Sequence, residues 1–147
     1  QNRLSKIYKN MKRFSYFVLL FLSLNDVLFT KSLESNNLKT VKIIRCYDGD
    51  TCTTSEGEKI RLACIDAPEI KDNRVNLEQA LLARDYLNSK VKGKSVILKP
   101  ITTDRYNRTV GELYTENINI QELLYKKGLA KIYKKYAYQC LWTKKYI

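Results

Sequence analysis

Residues 61–69 read RLACIDAPE, an arginine and a short apolar run followed by two carboxylates that flank an Ala-Pro pair. The apolar run, Leu62 to Ile65, has the length and composition of a strand buried in a small sheet or barrel. Pro68 has no N–H to donate to a neighbouring strand, and it restricts the residue before it to an extended conformation. The pattern therefore predicts that Asp66 and Glu69 are held on a stiff turn, where two acids can bind a cation or move a proton.

Five segments have the composition of strands, and turn signals separate them. Asp48-Gly49 is a strong hairpin signal between the first two strands, and Pro100 is expected to end the fourth. The predicted strands cover residues 39–47, 51–54, 59–65, 95–98 and 109–114.

Apolar residues at helical spacing predict a helix over residues 76–91 that ends before Gly93, and a second around 120–127 that ends at Gly128. Five strands with a helix between the third and the fourth is the order of the OB-fold. The predicted fold is mainly β, in the α+β class: a five-stranded OB-fold barrel with two to three helices, formed by residues 39–147.

The amino-terminal part of the sequence predicts an export signal. Residues 1–13 carry five basic residues and no acid, and residues 14–24 are almost wholly apolar. The apolar run is shorter than the roughly 20 residues that span a bilayer. We therefore expect residues 1–38 to be a signal peptide or signal anchor with a polar linker, residues 1–10 lying upstream of a natural start at Met11. Cleavage would give a secreted or periplasmic protein, and retention a membrane-anchored one.

The charge and the absence of histidine restrict the chemistry. Lysine and arginine number 27 against 15 acids, a net charge of +12, which favours nucleic acid or an acidic membrane surface as partner. A chain without histidine lacks the commonest general base and the commonest zinc ligand. Any catalysis must therefore use carboxylates, arginine, lysine, tyrosine or a metal bound by oxygen.

The four cysteines match no Cys-x-x-Cys zinc pattern. They are Cys46, Cys52, Cys64 and Cys140. Buried free thiols are one interpretation. In an oxidising compartment three pairings are open, and one of them joins Cys46 to Cys52 across a hairpin.

Three segments place charged residues at predicted turns or strand ends, namely 48–51, 61–69 and 104–108. Each alone is explained by a turn or a polar loop. Together they indicate oxygen ligands for a hard cation from Asp50 and Asp66, a further carboxylate in Glu69, and arginines for a phosphate.

The carboxyl-terminal segment, residues 125–147, contains seven lysines and no acid, interleaved with tyrosines and a tryptophan. This composition suits a single-stranded nucleic acid, which needs charge for phosphates and flat faces for bases. A solvated basic helix whose aromatic residues pack on the barrel fits equally well.

The chain resembles the staphylococcal nuclease, or thermonuclease, family over roughly residues 40–136. Four ordered motifs carry the resemblance: DGDT at 48–51, RLACIDAPE at 61–69, TDRYNR at 103–108 and GLAK at 128–131. It implies a monomeric, Ca²⁺-dependent nuclease, an endonuclease that cleaves DNA and RNA and leaves 3′-phosphate ends. It also implies a departure, because the final helix of this chain is shortened.

The resemblance also implies roles for individual residues. It assigns the metal to Asp50, Asp66 and the main-chain carbonyl of Ala67, the attacking water to Glu69, and the phosphate to Arg61 and Arg108. It assigns the substrate to Arg105, Tyr106, Tyr133 and Tyr136. A second nucleotide-packing tyrosine of the family falls on Lys134 here, and Asn107 stands where glycine is usual, a left-handed position that asparagine tolerates.

Two other functions stay open. A nucleic-acid-binding OB-fold module that has lost catalysis needs lysines and aromatic residues, but it has no need of the three acids and two arginines together. A membrane-tethered structural protein accounts for residues 12–24 and for nothing downstream.

Overall fold

A computed structural model describes residues 38–70 and 76–147. The predicted export signal and the start at Met11 lie outside the described residues. No helix in the described part of the chain is long and apolar enough to cross a membrane.

The described residues form eight strands, five of which close into a barrel. They are β1 (Lys39–Cys46), β2 (Thr51–Thr54), β3 (Lys59–Leu62), β4 (Ile65–Asp66), β5 (Ser95–Thr103), β6 (Thr109–Thr115), β7 (Ile118–Asn119) and β8 (Lys131–Ile132). Hydrogen-bonded neighbours run in the order β3-β2-β1-β5-β6, and a parallel pairing of β3 with β6 closes the ring. The five-stranded OB-fold barrel predicted from the sequence is confirmed.

Two α-helices pack against this barrel at the predicted places, α1 (Leu77–Val91) and α2 (Ile120–Lys126). The Oδ1 atom of Asn76 caps α1 by accepting the Glu78 N–H at 2.9 Å. The helix α1 buries one apolar stripe, and the largest side chains of the barrel interior are fully buried. These residues include Ala80, Ala83, Leu87 and Val91 of the helix and Ile43, Ile60, Leu98 and Leu113 of the barrel.

The predicted third strand, residues 59–65, is wrong at its end. The chain turns at Cys64, whose φ is +65°, so that β3 ends at Leu62 and β4 pairs with β8 outside the barrel. A left-handed conformation is unfavourable for a residue with a Cβ, so it needs support from its surroundings. Cys64 has that support, because its carbonyl accepts the Tyr133 N–H at 2.9 Å and its Sγ is bonded to Cys140.

The predicted end of the fourth strand at Pro100 is also wrong. The strand β5 continues through Pro100 to Thr103. Its register against β6 shifts between Pro100 and Thr102. A bulge is one of the few places where a strand accepts a residue without an N–H, so the proline bends the ladder without ending it.

The carboxyl-terminal segment forms two 3-10 helices, Lys134–Gln139 and Leu141–Lys145, where the sequence predicted one shortened helix. The hydroxyl of Thr143 donates to the carbonyls of Ala137 and Cys140 at 2.7 and 2.8 Å. Such local side-chain bonds compete with a regular helical ladder. The segment nevertheless buries Trp142 in the core, so it covers part of the barrel.

All four cysteines are joined in disulfides. Cys46 pairs with Cys52 across the β1–β2 hairpin, where the two residues are also register partners. Cys64 pairs with Cys140, which lies 76 residues further along the chain. Of the three pairings that the sequence left open, the structure contains this one.

Candidate active site

The turn between β1 and β2 carries the first predicted metal ligand, Asp50. The Asp48 carboxylate accepts the Asp50 N–H at 3.0 Å and tightens the turn. A Cβ on Gly49 would lie 2.6 Å from the Cβ of Ala67 and 2.8 Å from that of Ala83. Only glycine therefore lets this turn pack against the β4 exit and the helix α1, which places Asp50 beside the segment 61–69.

Asp50 is only 4% exposed, and both oxygens of its carboxylate have partners. Its Oδ2 accepts the Ala67 N–H at 2.9 Å and lies 3.1 Å from Nη2 of Arg61, while its Oδ1 accepts the hydroxyl of Thr51 at 3.1 Å. Burial raises the pKa of Asp50 to about 7, and the positive charge of Arg61 only partly opposes that shift. The charged form of Asp50 is therefore one that an additional cation would stabilise.

Arg61 joins the two predicted carboxylate ligands. Besides contacting Asp50, its Nη2 lies 3.7 Å from Oδ1 of Asp66, and its Nη1 donates to the carbonyl of Leu62 at 2.8 Å. Asp66 contrasts with Asp50 because its side chain is 64% exposed. The guanidinium group of Arg61 thus contacts one buried carboxylate and one that faces solvent.

The donor set beside Arg61 fits a hard cation. Its side-chain donors are carboxylate oxygens, which Ca²⁺ prefers, and calcium sites also use backbone carbonyls and water. Within residues 38–70 and 76–147, no group of three or more His, Cys, Asp or Glu side chains is placed to hold a metal. A cation held by Asp50 and Asp66 would therefore complete its coordination with carbonyls, such as that of Ala67, and with water.

The loop after β5 holds Arg108, the second arginine predicted to bind phosphate. The Oδ2 atom of Asp104 accepts both Nε and Nη2 of Arg108 at 2.7 Å, and its Oδ1 accepts the Tyr106 and Arg108 N–H groups at 2.9 and 3.0 Å. Although burial opposes the shift, these hydrogen bonds lower the pKa of Asp104. Asn107 has a φ of +58°, so the left-handed turn expected from the sequence is confirmed.

One groove of about 630 Å³ contains both arginines and the predicted substrate residues. Its walls include Arg61, Arg105, Tyr106, Arg108, Tyr133 and Tyr136. Tyr106 is 64% exposed, and the guanidinium carbons of Arg105 and Arg108 lie 4.8 and 5.4 Å from the centroid of its ring. The rings of Tyr133 and Tyr136 meet edge to face at 5.1 Å on the carboxyl-terminal wall. Charge for phosphates and flat rings for bases therefore share one surface.

Glu69 lies elsewhere. It is exposed and lines a separate hollow of about 470 Å³ together with Asp66 and Ala67. The contact between Asp66 and Arg61 connects this hollow to the groove. The structure thus groups the predicted metal ligands with one arginine and groups both arginines with the tyrosines, but it does not bring Glu69 into the groove.

Sequence reasoning missed several residues of this surface. Asp104 was part of a motif, but its hydrogen bonds to the Arg108 side chain were not predicted. An aspartate at the start of a tight turn is a signal that could have indicated its role. Lys135 and Gln139 also line the groove. The position of Cys140 beside Cys64 could not be predicted, because nothing in the sequence links two residues that are so far apart in the chain.

Comparison with known proteins gives a consistent result. Residues 59–146 match the family model described as staphylococcal nuclease homologue. An uncharacterised endonuclease of Escherichia coli is 32% identical over 99 residues, covering 65% of this chain and 61% of that protein. An uncharacterised endonuclease of Haemophilus influenzae is 32% identical over 82% of this chain and 67% of its own length. A staphylococcal-like nuclease of Arabidopsis thaliana is 40% identical over 53% of this chain and 23% of its own.

Proposed function

The chain belongs to the staphylococcal nuclease homologue family, and from that premise we propose that it is a nuclease that hydrolyses phosphodiester bonds of DNA and RNA. The observation that carries the proposal is the contact of Asp50 and Asp66 with one guanidinium group, that of Arg61, at the edge of an arginine- and tyrosine-lined groove. The relatives whose names include endonuclease or nuclease support it.

We propose Ca²⁺ as the cofactor, held by Asp50, Asp66 and the carbonyl of Ala67. When bound, the ion supplies positive charge that offsets the negative charge developing on the phosphate. The all-oxygen donor set and the raised pKa of the buried Asp50 carboxylate favour a cation there.

The chain's own residues have divided roles in this proposal. Arg61 and Arg108 hold the phosphate oxygens through planar guanidinium groups, which match them better than a lysine ammonium does. Glu69 orients or deprotonates the attacking water. Attack that releases the 5′-oxygen leaves 3′-phosphate ends, and internal cutting makes the enzyme an endonuclease.

The substrate lies along the groove. Arg105 adds charge, and Tyr106, Tyr133 and Tyr136 offer ring faces to bases, an arrangement that binds single strands without reading their sequence. The net charge of +12 favours a polyanion throughout.

We also propose that the protein acts outside the cytoplasm, as a secreted or periplasmic monomer, or as a membrane-anchored one if residues 1–38 are retained. The basic and apolar amino-terminal sequence supports export. Two disulfides suit an oxidising compartment. Sequencing the amino terminus of the exported protein tests this proposal, since cleavage removes the apolar residues 14–24.

The activity is tested on 5′-labelled DNA and RNA oligonucleotides incubated with the protein and Ca²⁺. The expected result is shorter fragments that carry a 3′-phosphate, which phosphatase then removes. Binding of the oligonucleotide without any fragment would contradict a nuclease and favour the binding-module alternative. A mock purification from the same host without the protein, assayed in parallel, excludes a contaminating nuclease.

A further inference from the structure

The Cys64–Cys140 disulfide lies at the wall of the substrate groove. Cys64 is the turn between β3 and β4, so it stands between Arg61 on one side and Asp66 on the other. It lines the groove, and its Sγ is 3.3 Å from the carbonyl oxygen of Tyr136. The bridge therefore connects the segment that holds the arginine and the carboxylate directly to the wall that holds the tyrosines.

That wall packs on the core through Trp142, but its main chain has few bonds to the barrel side. Within the described residues, its main-chain connection to the barrel side is the two-residue pairing of β8 with β4 and the bond from the Tyr133 N–H to the Cys64 carbonyl. Tyr136 belongs to a 3-10 helix, Lys134–Gln139, whose backbone bonds are local. Cys140 directly follows this helix, so its covalent bond to Cys64 ties the helix to the segment between Arg61 and Asp66.

The second disulfide is placed differently. Cys46 and Cys52 face each other in a hairpin that the bond from the Tyr47 N–H to the Thr51 carbonyl already closes at 2.8 Å. Neither cysteine lines the groove described above. This bridge is therefore a matched control, since it is a disulfide in the same chain that does not touch the tyrosine wall.

We propose that Cys64 and Cys140 are positioning residues for nucleic acid: their disulfide holds Tyr133 and Tyr136 at the spacing from Arg61 that lets adjacent nucleotides of one strand bind at once. The proposal rests on the proposed function, because it concerns the same groove. It adds a residue pair that acts on substrate binding through other residues and not on the chemical step.

The test compares wild type with Cys64→Ser/Cys140→Ser and with Cys46→Ser/Cys52→Ser in steady-state cleavage of a single-stranded oligonucleotide. Loss of stacking on two tyrosines predicts a KM about tenfold or more above wild type for the first variant. Its KM should change by a larger factor than its kcat, and the control variant should keep KM within about twofold. A first variant with unchanged KM, or with kcat and KM altered alike in both variants, would overturn the proposal.

A second pair of variants separates positioning from general stability. Tyr133→Ala/Tyr136→Ala keeps the bridge and should reproduce the rise in KM; adding the cysteine changes to it should raise KM no further, because the two act through one contact. Additive effects would contradict the proposal. Each comparison is made at a temperature at which circular dichroism shows the variant to be folded. If the serine pair does not fold, the Cys64→Ala/Cys140→Val variant is used in its place. If neither pair folds, the bridge is needed for the fold itself and the proposal is wrong.

Fluorescence anisotropy with a labelled oligonucleotide separates this inference from the proposed function. A wild-type protein that binds but never cleaves would contradict the nuclease, while the same variants still test the positioning role through Kd. A wild-type protein that cleaves, with variants of unchanged KM and Kd, would contradict the positioning role alone.

Discussion

The Nη2 atom of Arg61 lies 3.1 Å from Oδ2 of Asp50, a buried carboxylate. The predicted phosphate-binding arginine and the predicted metal ligand are thus in contact. Arg61 neutralises part of the charge that burial makes unfavourable on Asp50. In the proposed enzyme this contact places a guanidinium group beside the cation, where both can reach the same phosphate.

Replacing Arg61 with lysine tests whether the planar group matters. Arg61→Lys keeps the charge but cannot offer two parallel N–H donors, so we expect kcat/KM to fall about 10²-fold, or about 3 kcal/mol. Arg45→Lys is the control, because Arg45 is exposed on β1 and stacks on Tyr47 away from the groove. Equal kcat/KM values for the two variants would mean that Arg61 serves only as a partner of Asp50.

Glu69 is expected to act in the chemical step. Glu69→Gln removes the base while keeping the shape of the side chain, so kcat should fall by about 10²-fold or more with little change in oligonucleotide Kd. Rapid-quench kinetics and anisotropy measure the two quantities. Since Glu69 lies outside the groove, retained turnover would show that water activation belongs to another group.

The two disulfides should differ in their effect on stability. The bridge from Cys64 spans 76 residues and that from Cys46 spans 6, so the first restricts the unfolded chain more. By loop-closure entropy, we expect the paired serine variants to lose about 4 and about 2 kcal/mol of unfolding free energy, respectively. Urea unfolding at matched conditions measures both. A larger loss for the hairpin bridge would contradict this account.

Glu122 should make stability depend on pH. Hydrogen bonds from the Tyr146 hydroxyl and from Lys126 lower the pKa of Glu122, which is on α2. A carboxyl with a lowered pKa stabilises the fold above its unfolded-state pKa and loses that effect as the pH falls through its folded pKa. Near neutrality the free energy of unfolding should be about 1 kcal/mol higher for wild type than for Glu122→Gln. The corresponding difference in Tm should therefore shrink on acidification to about pH 3. A Glu56→Gln control in an exposed turn should show no such trend, and a constant difference for Glu122→Gln would refute the assignment.

Sequence reasoning succeeded where local chemistry determines structure. The Asp48-Gly49 turn, the apolar spacing of α1 and the glycine after α2 each act within a few residues, so their patterns were readable. It failed at Cys64 and Pro100, because a turn supported by a distant cysteine and a bulge tolerated by a neighbouring strand both depend on tertiary contacts. The carboxyl-terminal 3-10 helices were missed for a local reason, because no pattern predicted that the Thr143 hydroxyl would bond to the carbonyls of Ala137 and Cys140.

The residues of the candidate site likewise divide into those that sequence patterns predicted and those that depend on tertiary contacts. Motif resemblance proposed Asp50, Asp66 and Arg61, and the structure brings them into contact. No pattern predicted that Asp104 would hold both Nε and Nη2 of Arg108. Nor did a pattern place Glu69 in a separate hollow, because the position of an exposed side chain depends on how the turn at Pro68 packs.

The most direct measurement of the central claim is plasmid cleavage by wild type and Asp50→Asn, each with Ca²⁺ and with a calcium chelator. We expect cleavage by wild type with Ca²⁺, its loss in chelator, and little cleavage by Asp50→Asn in either condition, provided that circular dichroism shows the variant to be folded. Equal cleavage by wild type in chelator, or full activity of Asp50→Asn, would contradict a calcium-dependent nuclease whose metal is held by Asp50.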